Sequence, residues 1–100
     1  MNYALLLRSF LDGEGKLKQM PAKQKMRLYV YFWAASSLDK EKVYSEPELN
    51  GSLNRISTLG DPASLRRALV DFGFMDRKPD GSAYWLKKEQ PTPESFGMGL

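Results

Sequence analysis

Residues 61–86 constrain this chain more than any other stretch. They read D-P-A-S-L-R-R-A-L-V-D-F-G-F-M-D-R-K-P-D-G-S-A-Y-W-L: a start signal, an apolar period, a stop and a turn in direct succession. Asp61 can accept from the free N–H groups of a helix N-terminus. Pro62 then falls at the first helical position, where a missing N–H costs nothing. Leu65, Ala68, Leu69 and Phe72 recur at helical spacing and form one apolar face. Gly73 predicts a left-handed stop, with Phe74 placed to touch Leu69 in the contact that accompanies such caps. Pro79-Asp80-Gly81 predicts a tight turn, because proline presets φ and glycine takes the positive-φ corner. The flanks, 74–78 and 82–87, carry aromatic and apolar residues suited to strands. A helix followed by a β-hairpin is expected.

The rest of the chain supplies elements in front of this unit. Residues 2–11 predict a short helix with Tyr3, Leu6, Leu7 and Phe10 on one face, broken by Asp12-Gly13-Glu14-Gly15. Residues 16–20 form a connector whose Leu17 and Met20 pack while its lysines stay in water. The longest helical signal runs over 22–38, just after Pro21. Met26, Tyr29, Val30, Trp33 and Ser37 make one face, yet Leu28, Tyr31, Phe32 and Ala35 populate the opposite side. A helix apolar nearly all round is buried on more than one side. One flank is assigned to the core, the other to the N-terminal helix or to a partner chain. Val43-Tyr44 is long enough for only a very short strand. Ser45-Glu46-Pro47-Glu48 is a capping box, with Tyr44 and Leu49 placed as its hydrophobic staple. The helix it opens buries Leu49, Leu53 and Ile56, and Gly51 weakens it by about 1 kcal/mol relative to alanine.

Helix, short strand, helix, turn, helix, hairpin is the order of a winged helix-turn-helix. The expected fold class is α+β, mostly helical: a winged helix-turn-helix with an N-terminal helical extension and a C-terminal β-hairpin wing. The expected division is an N-terminal helix and connector over 1–21, the winged-helix domain over 22–88, and a flexible polar tail over 89–100. Phe96, Met98 and Leu100 are the tail residues able to dock.

Four segments also resemble one bacterial family. They are F-L-D-G-E-G-K-L-K-Q-M-P-A-K at 10–23, Y-S-E-P-E-L-N at 44–50, L-R-R-A-L-V-D-F-G-F-M-D-R at 65–77, and Tyr84-Trp85. In order and spacing they resemble the domain-of-unknown-function family twenty-eighty-seven over most of the chain. The resemblance implies a winged-helix-like fold and an association with helix-turn-helix transcriptional regulators. It implies no chemistry, because the family's own activity is not established. Where that family commonly carries a glutamate this chain has Ala68, which removes one potential partner for Arg66 or Lys25.

Composition narrows the function. The 100 residues include no cysteine and no histidine, so disulfides, thiolate chemistry, ordinary zinc sites and histidine-based catalysis are not expected. Carboxylates are dispersed beside bases, Ser64 and Ser82 lack a histidine, and no glycine-rich phosphate loop follows a strand. The expectation is a non-enzyme with no cofactor and no metal. The N-terminal apolar run is cut by Arg8, too early for a signal peptide, and nothing approaches a membrane span. A cytoplasmic protein with no membrane partner is the default.

The net charge of +3 and a pI near 9.2 fit nucleic-acid binding. Residues 22–42 hold five bases against two acids, whereas 61–90 hold six against five, so the basic excess lies away from the 61–71 helix. On that helix Arg67 points straight outward and Arg66 lies on the flank, where arginine can reach phosphate or a guanine edge. Asp71, at i+4, is a ready partner for Arg67. Ser64, Arg66, Arg67, Arg77, Lys78, Lys23 and Arg27 are the candidate contacts to double-stranded DNA. Ala63 and Val70 share the outward face with Arg67, which suits contact with another protein or a second copy of this chain. Leu28 and Phe32 are the further candidates for such an interaction surface.

Overall fold

The computed structural model describes residues 2–98. The fold is α+β and mostly helical. Among these residues it has α1 (Tyr3–Leu6), α2 (Gln24–Ser36), α3 (Glu46–Ile56), α4 (Pro62–Asp71) and an antiparallel hairpin of β1 (Met75–Arg77) and β2 (Tyr84–Leu86). Two short 3-10 turns complete it, Arg8–Phe10 between α1 and α2 and Pro93–Phe96 after β2.

α2 buries Leu28, Tyr29, Val30, Tyr31, Phe32, Ala34 and Ala35, residues that point to every side of a helix. Each flank therefore has a cover. The Tyr3 ring of α1 stacks on Phe32 at 5.2 Å and lies 6.0 Å from Tyr29. Phe72 stacks on Tyr31 at 5.3 Å from the end of α4, and Phe74 meets Phe32 edge-on at 4.9 Å. The N-terminal helix expected against the second flank is thus in place. Leu28 and Phe32, expected on an interaction surface, are instead 6% and 8% exposed inside the chain's own core, because these covers leave no free flank there.

The C-terminal segment adds a third cover. The polar, proline-containing stretch 89–100 reads as a flexible tail, yet its described part folds back. Thr92 caps the Pro93–Phe96 turn, and Gly97 closes it at φ 71°. The Phe96 ring lies 5.9 Å from Phe32, 6.0 Å from Phe72 and 6.2 Å from Phe74, while Met98 is buried. Gln90 anchors the return by donating from Nε2 to the Phe74 carbonyl at 2.8 Å and to the Lys87 carbonyl at 2.7 Å. Apolar contact with an aromatic core outweighs the segment's polar composition. Leu100 lies outside the described residues.

The N-terminal extension is shorter as a helix than its pattern suggests. α1 ends at Leu6, the chain tightens into the 3-10 turn, and Leu11 is extended. The Asp12 carboxylate then accepts from the Glu14 and Lys16 amides, 2.9 and 3.0 Å, reversing the chain. These bonds, the Lys16 amide foremost, hold the Asp12 carboxyl below the usual carboxylate range. Leu17 lands between two segments. Its N–H donates to the Ile56 carbonyl at 2.8 Å, and its carbonyl accepts from Thr58 N–H at 2.9 Å. The connector is a clip that ties the N-terminus to the end of α3.

The capping box of α3 forms in both directions: Ser45 Oγ accepts from Glu48 N–H at 3.2 Å, and Glu48 Oε1 accepts from Ser45 N–H at 3.0 Å. Just before it, Tyr44 exchanges two backbone hydrogen bonds with Tyr84, of 2.7 and 2.8 Å, so one residue adds to the free edge of β2. The hairpin register pairs Met75 with Leu86, Asp76 with Trp85 and Arg77 with Tyr84. Met75, Tyr84 and Leu86 are buried, and Trp85 on the other face is half-buried, the split expected of adjacent strand residues.

Removing the Phe96 ring tests the third cover. Phe96→Ala is expected to lower unfolding stability in urea by about 1–3 kcal/mol, below the cost of a fully buried phenylalanine because the ring is half-buried. A change within about 0.5 kcal/mol, the surface range, would mean that the segment does not pack.

Candidate nucleic-acid interface

α4 is fixed at both ends by the signals that precede and follow it. Asp61 Oδ1 accepts from Ser64 N–H at 3.2 Å, and Oδ2 accepts from the Ser64 hydroxyl at 2.6 Å. These bonds, the hydroxyl first, hold the Asp61 carboxyl below its usual range. Pro62 sits in the first turn. At the far end Gly73 takes φ +85°, donating to the Val70 carbonyl at 3.1 Å, and Phe74 donates to the Leu69 carbonyl at 2.9 Å. That pair of bonds is a Schellman closure. It turns the chain sharply enough to bring β1 back beside α4.

Leu65, Ala68 and Leu69 face the core, so Ser64, Arg67 and Asp71 are exposed on the other side with Ala63 and Val70 half-buried between them. The two neighbouring arginines have different environments. Arg66 Nη1 donates to Asn50 Oδ1 at 2.5 Å, and Nη2 lies 3.5 Å from Glu46 Oε1. Its guanidinium also stands over the Tyr84 ring at 5.9 Å, and its side chain is only 13% exposed. One planar group thereby ties α3, α4 and β2 together, a geometry suited to arginine's fixed fork of donors. Arg66, a candidate DNA contact by sequence, is occupied inside the chain. Arg67 is exposed, and the ion pair expected with Asp71 is not formed within 4 Å.

Between α4 and the hairpin runs an open groove of about 470 Å³. Arg67, Val70 and Asp71 form one wall, and Arg77, Asp80 and Gly81 the other. Arg77 shares the inward face of the hairpin with buried Tyr84, which aims its base toward α4. Its Nη1 makes one long contact, 3.5 Å, to the Pro79 carbonyl. Asp80 is held by the turn itself, accepting from Ser82 N–H at 2.9 Å, and the Ser82 bonds keep its carboxyl below the usual range. Outside the Arg66–Glu46 pair, the groove thus carries one arginine and one aspartate on each wall. Lys78 is exposed at the hairpin tip.

A second groove, about 400 Å³, runs past the other end of α4. Arg27 of α2 lines it together with Asp61 and Ser64. Lys23, the N-cap residue of α2, is exposed one turn earlier. The fold therefore gathers Arg67 and Arg77 in one groove and places Arg27 beside the N-terminus of α4, with Lys23 one turn before it at the start of α2. Ser64 stands at that N-terminus, but its hydroxyl proton is committed to Asp61.

Sequence reasoning missed the partners of Arg66. Glu46 and Asn50 stand four residues apart and so share one face of α3, a spacing that marks them as joint partners for a base from a packed helix. Nothing local pointed to Tyr84 as the third.

These features define a small, mostly helical α+β domain in which a capped helix and a hairpin flank a charged groove. Residues 16–86 match a bacterial family described as an uncharacterized protein conserved in bacteria (DUF2087), and the chain belongs to that family. Comparison with curated proteins and with solved structures returned no match.

The contrast between the two arginines is directly measurable. Arg66→Ala is expected to destabilise the fold by about 1–3 kcal/mol, since it leaves Asn50 and Glu46 without their partner. Arg67→Ala is expected to stay within about 0.5 kcal/mol of the parent. Chemical denaturation of both variants reads the difference, and equal costs would contradict the assignment.

Proposed function

We propose that the chain is a winged helix-turn-helix module that binds double-stranded DNA in transcription regulation, with α4 in the major groove and the hairpin as its wing. One observation carries the reading. Tyr44 pairs with β2, and β2 pairs with β1, so the order across the ladder is Tyr44, β2, β1, behind a helix pair α3 and α4. That arrangement supports a winged-helix plan, and it puts exposed Arg67 and Arg77 on a common groove. In this reading Arg67 approaches the duplex from α4, Arg77 and Lys78 from the wing, and Lys23 and Arg27 from the start of α2, while Ser64 serves to cap α4 through Asp61. Arg66 acts at one remove, holding α4 and β2 at a set angle. The module works in the cytoplasm and carries no catalytic step.

A second reading is favoured by the groove's balanced charge and by the half-buried Ala63 and Val70 beside Arg67. Acidic Asp71 and Asp80 oppose phosphate, and small apolar groups suit another protein surface, including a second copy of this chain. Light scattering across concentration distinguishes this version: self-association abolished by Val70→Asp supports it, and a strict monomer removes the second-copy form.

For the DNA version, about four phosphate contacts are expected from these bases. Binding should therefore fall roughly 10²-fold between about 50 and 200 mM salt. Arg67→Ala should lower both affinity and the salt slope, the slope by about one. Fluorescence anisotropy with a duplex checks this. No binding, or binding indifferent to salt and to Arg67→Ala, would contradict it.

A further inference from the structure

A second basin of about 450 Å³ lies on the side of the molecule formed by α1, the end of α2 and the strand ends of the hairpin. Its size falls within the range of small-molecule sites. Phe32, Ala35, Phe74 and Leu86 contribute its floor, all of them buried core residues. The Tyr3 ring, stacked on Phe32, and Pro91 supply apolar sides. The basin shares no lining residue with the α4–hairpin groove.

Its rim is basic. Lys40 stands on the loop after α2, and Lys87 and Lys88 follow β2 directly, against one lining acid, Glu41, with Glu89 next to Lys88 in the chain. The four lining charges are exposed, and none forms an ion pair within 4 Å among the described residues. Three unpaired ammonium groups beside an apolar basin suit an anion, and like-charge crowding of Lys87 and Lys88 is relieved by one. The backbone below the rim is held in place, because the Gln90 amide group bonds both the Phe74 and Lys87 carbonyls.

From this geometry we infer that the basin is a binding site for a small amphipathic carboxylate: an aromatic or short acyl body on the Phe32–Phe74–Leu86 floor, its anion at Lys40, Lys87 and Lys88. Two of the four floor residues, Phe32 and Phe74, are aromatic, and aromatic rings favour stacked or T-shaped neighbours. The ligand touches α1, α2 and the hairpin at once, so it stabilises their junction. This site is independent of the proposed DNA surface.

The test uses naphthalene-2-carboxylate, with its uncharged amide as the control, titrated into isotopically labelled full-length chain and followed by amide chemical shifts. Saturable one-to-one shifts at residues 40–41, 74 and 86–91 are expected. The amide should bind several-fold more weakly, since each exposed ion contact contributes up to about fivefold. Added salt should weaken the carboxylate and leave the amide unchanged. Lys87→Glu with Lys88→Glu should remove most of the carboxylate's advantage without moving the unfolding midpoint of the free protein. Should that variant fold poorly, the salt dependence of the parent decides alone. Absence of saturation, equal binding of the amide, or shifts confined to α4 and the hairpin tip would overturn the site.

Discussion

The fold depends on the burial of α2 from all sides. A thirteen-residue helix with Leu28, Tyr29, Val30, Tyr31, Phe32, Ala34 and Ala35 buried cannot sit on the surface of anything. It requires α1 on one flank, α4 with Phe74 just before β1 on another, and the Pro93–Phe96 turn between them. Aromatic rings take part on every one of these sides, with Tyr3, Phe72, Phe74 and Phe96 gathered around Tyr31 and Phe32. Edge-on and offset ring pairs add specificity of angle to the burial of area. The consequence for the candidate interface is indirect and strong. α4 and the hairpin are covers of α2 first, and their outward faces are whatever this packing leaves free.

Polar bonds then set angles that apolar packing alone does not. Arg66 joins α3, α4 and β2, and Tyr84 belongs both to that junction and to the backbone pairing with Tyr44. At the other end Leu17 bonds the residues that close α3. The helix pair is therefore braced at both ends. A groove-binding surface benefits from such bracing, because misplacement of a contact group by an ångström or so removes its hydrogen bonds.

Much of this was legible in the sequence where a residue's effect is local. Asp61, Pro62 and Gly73 bound α4 through hydrogen bonds spanning only a few residues, and Ser45 with Glu48 did the same for α3. The all-round apolarity of α2 correctly required a second cover. What was not legible was long-range competition. The stretch after 88 has a loop's composition, but Phe96 and Met98 pack on the core and Gln90 bonds the return, which docks it. Leu28 and Phe32 looked available because a helical wheel shows faces without showing what lies on them. The same limit applied to Arg66: its sequence neighbours suggested a surface base, and only the meeting of α3 with α4 brings Glu46 and Asn50 to it. Arg67, by contrast, stands outward as the wheel placed it, although without its i+4 partner.

The surface left by this packing is a groove with two free arginines, a hairpin tip with Lys78, and bases at the start of α2. Amide chemical-shift mapping during titration with a short duplex tests most directly whether that surface meets DNA. The winged-helix reading predicts perturbations at residues 63–71 and 76–82 with a smaller set near 23–27, while the Arg66 side-chain signals stay close to their free values. Shifts confined to α1 and the 87–91 segment, or none at saturating duplex in low salt, would contradict it.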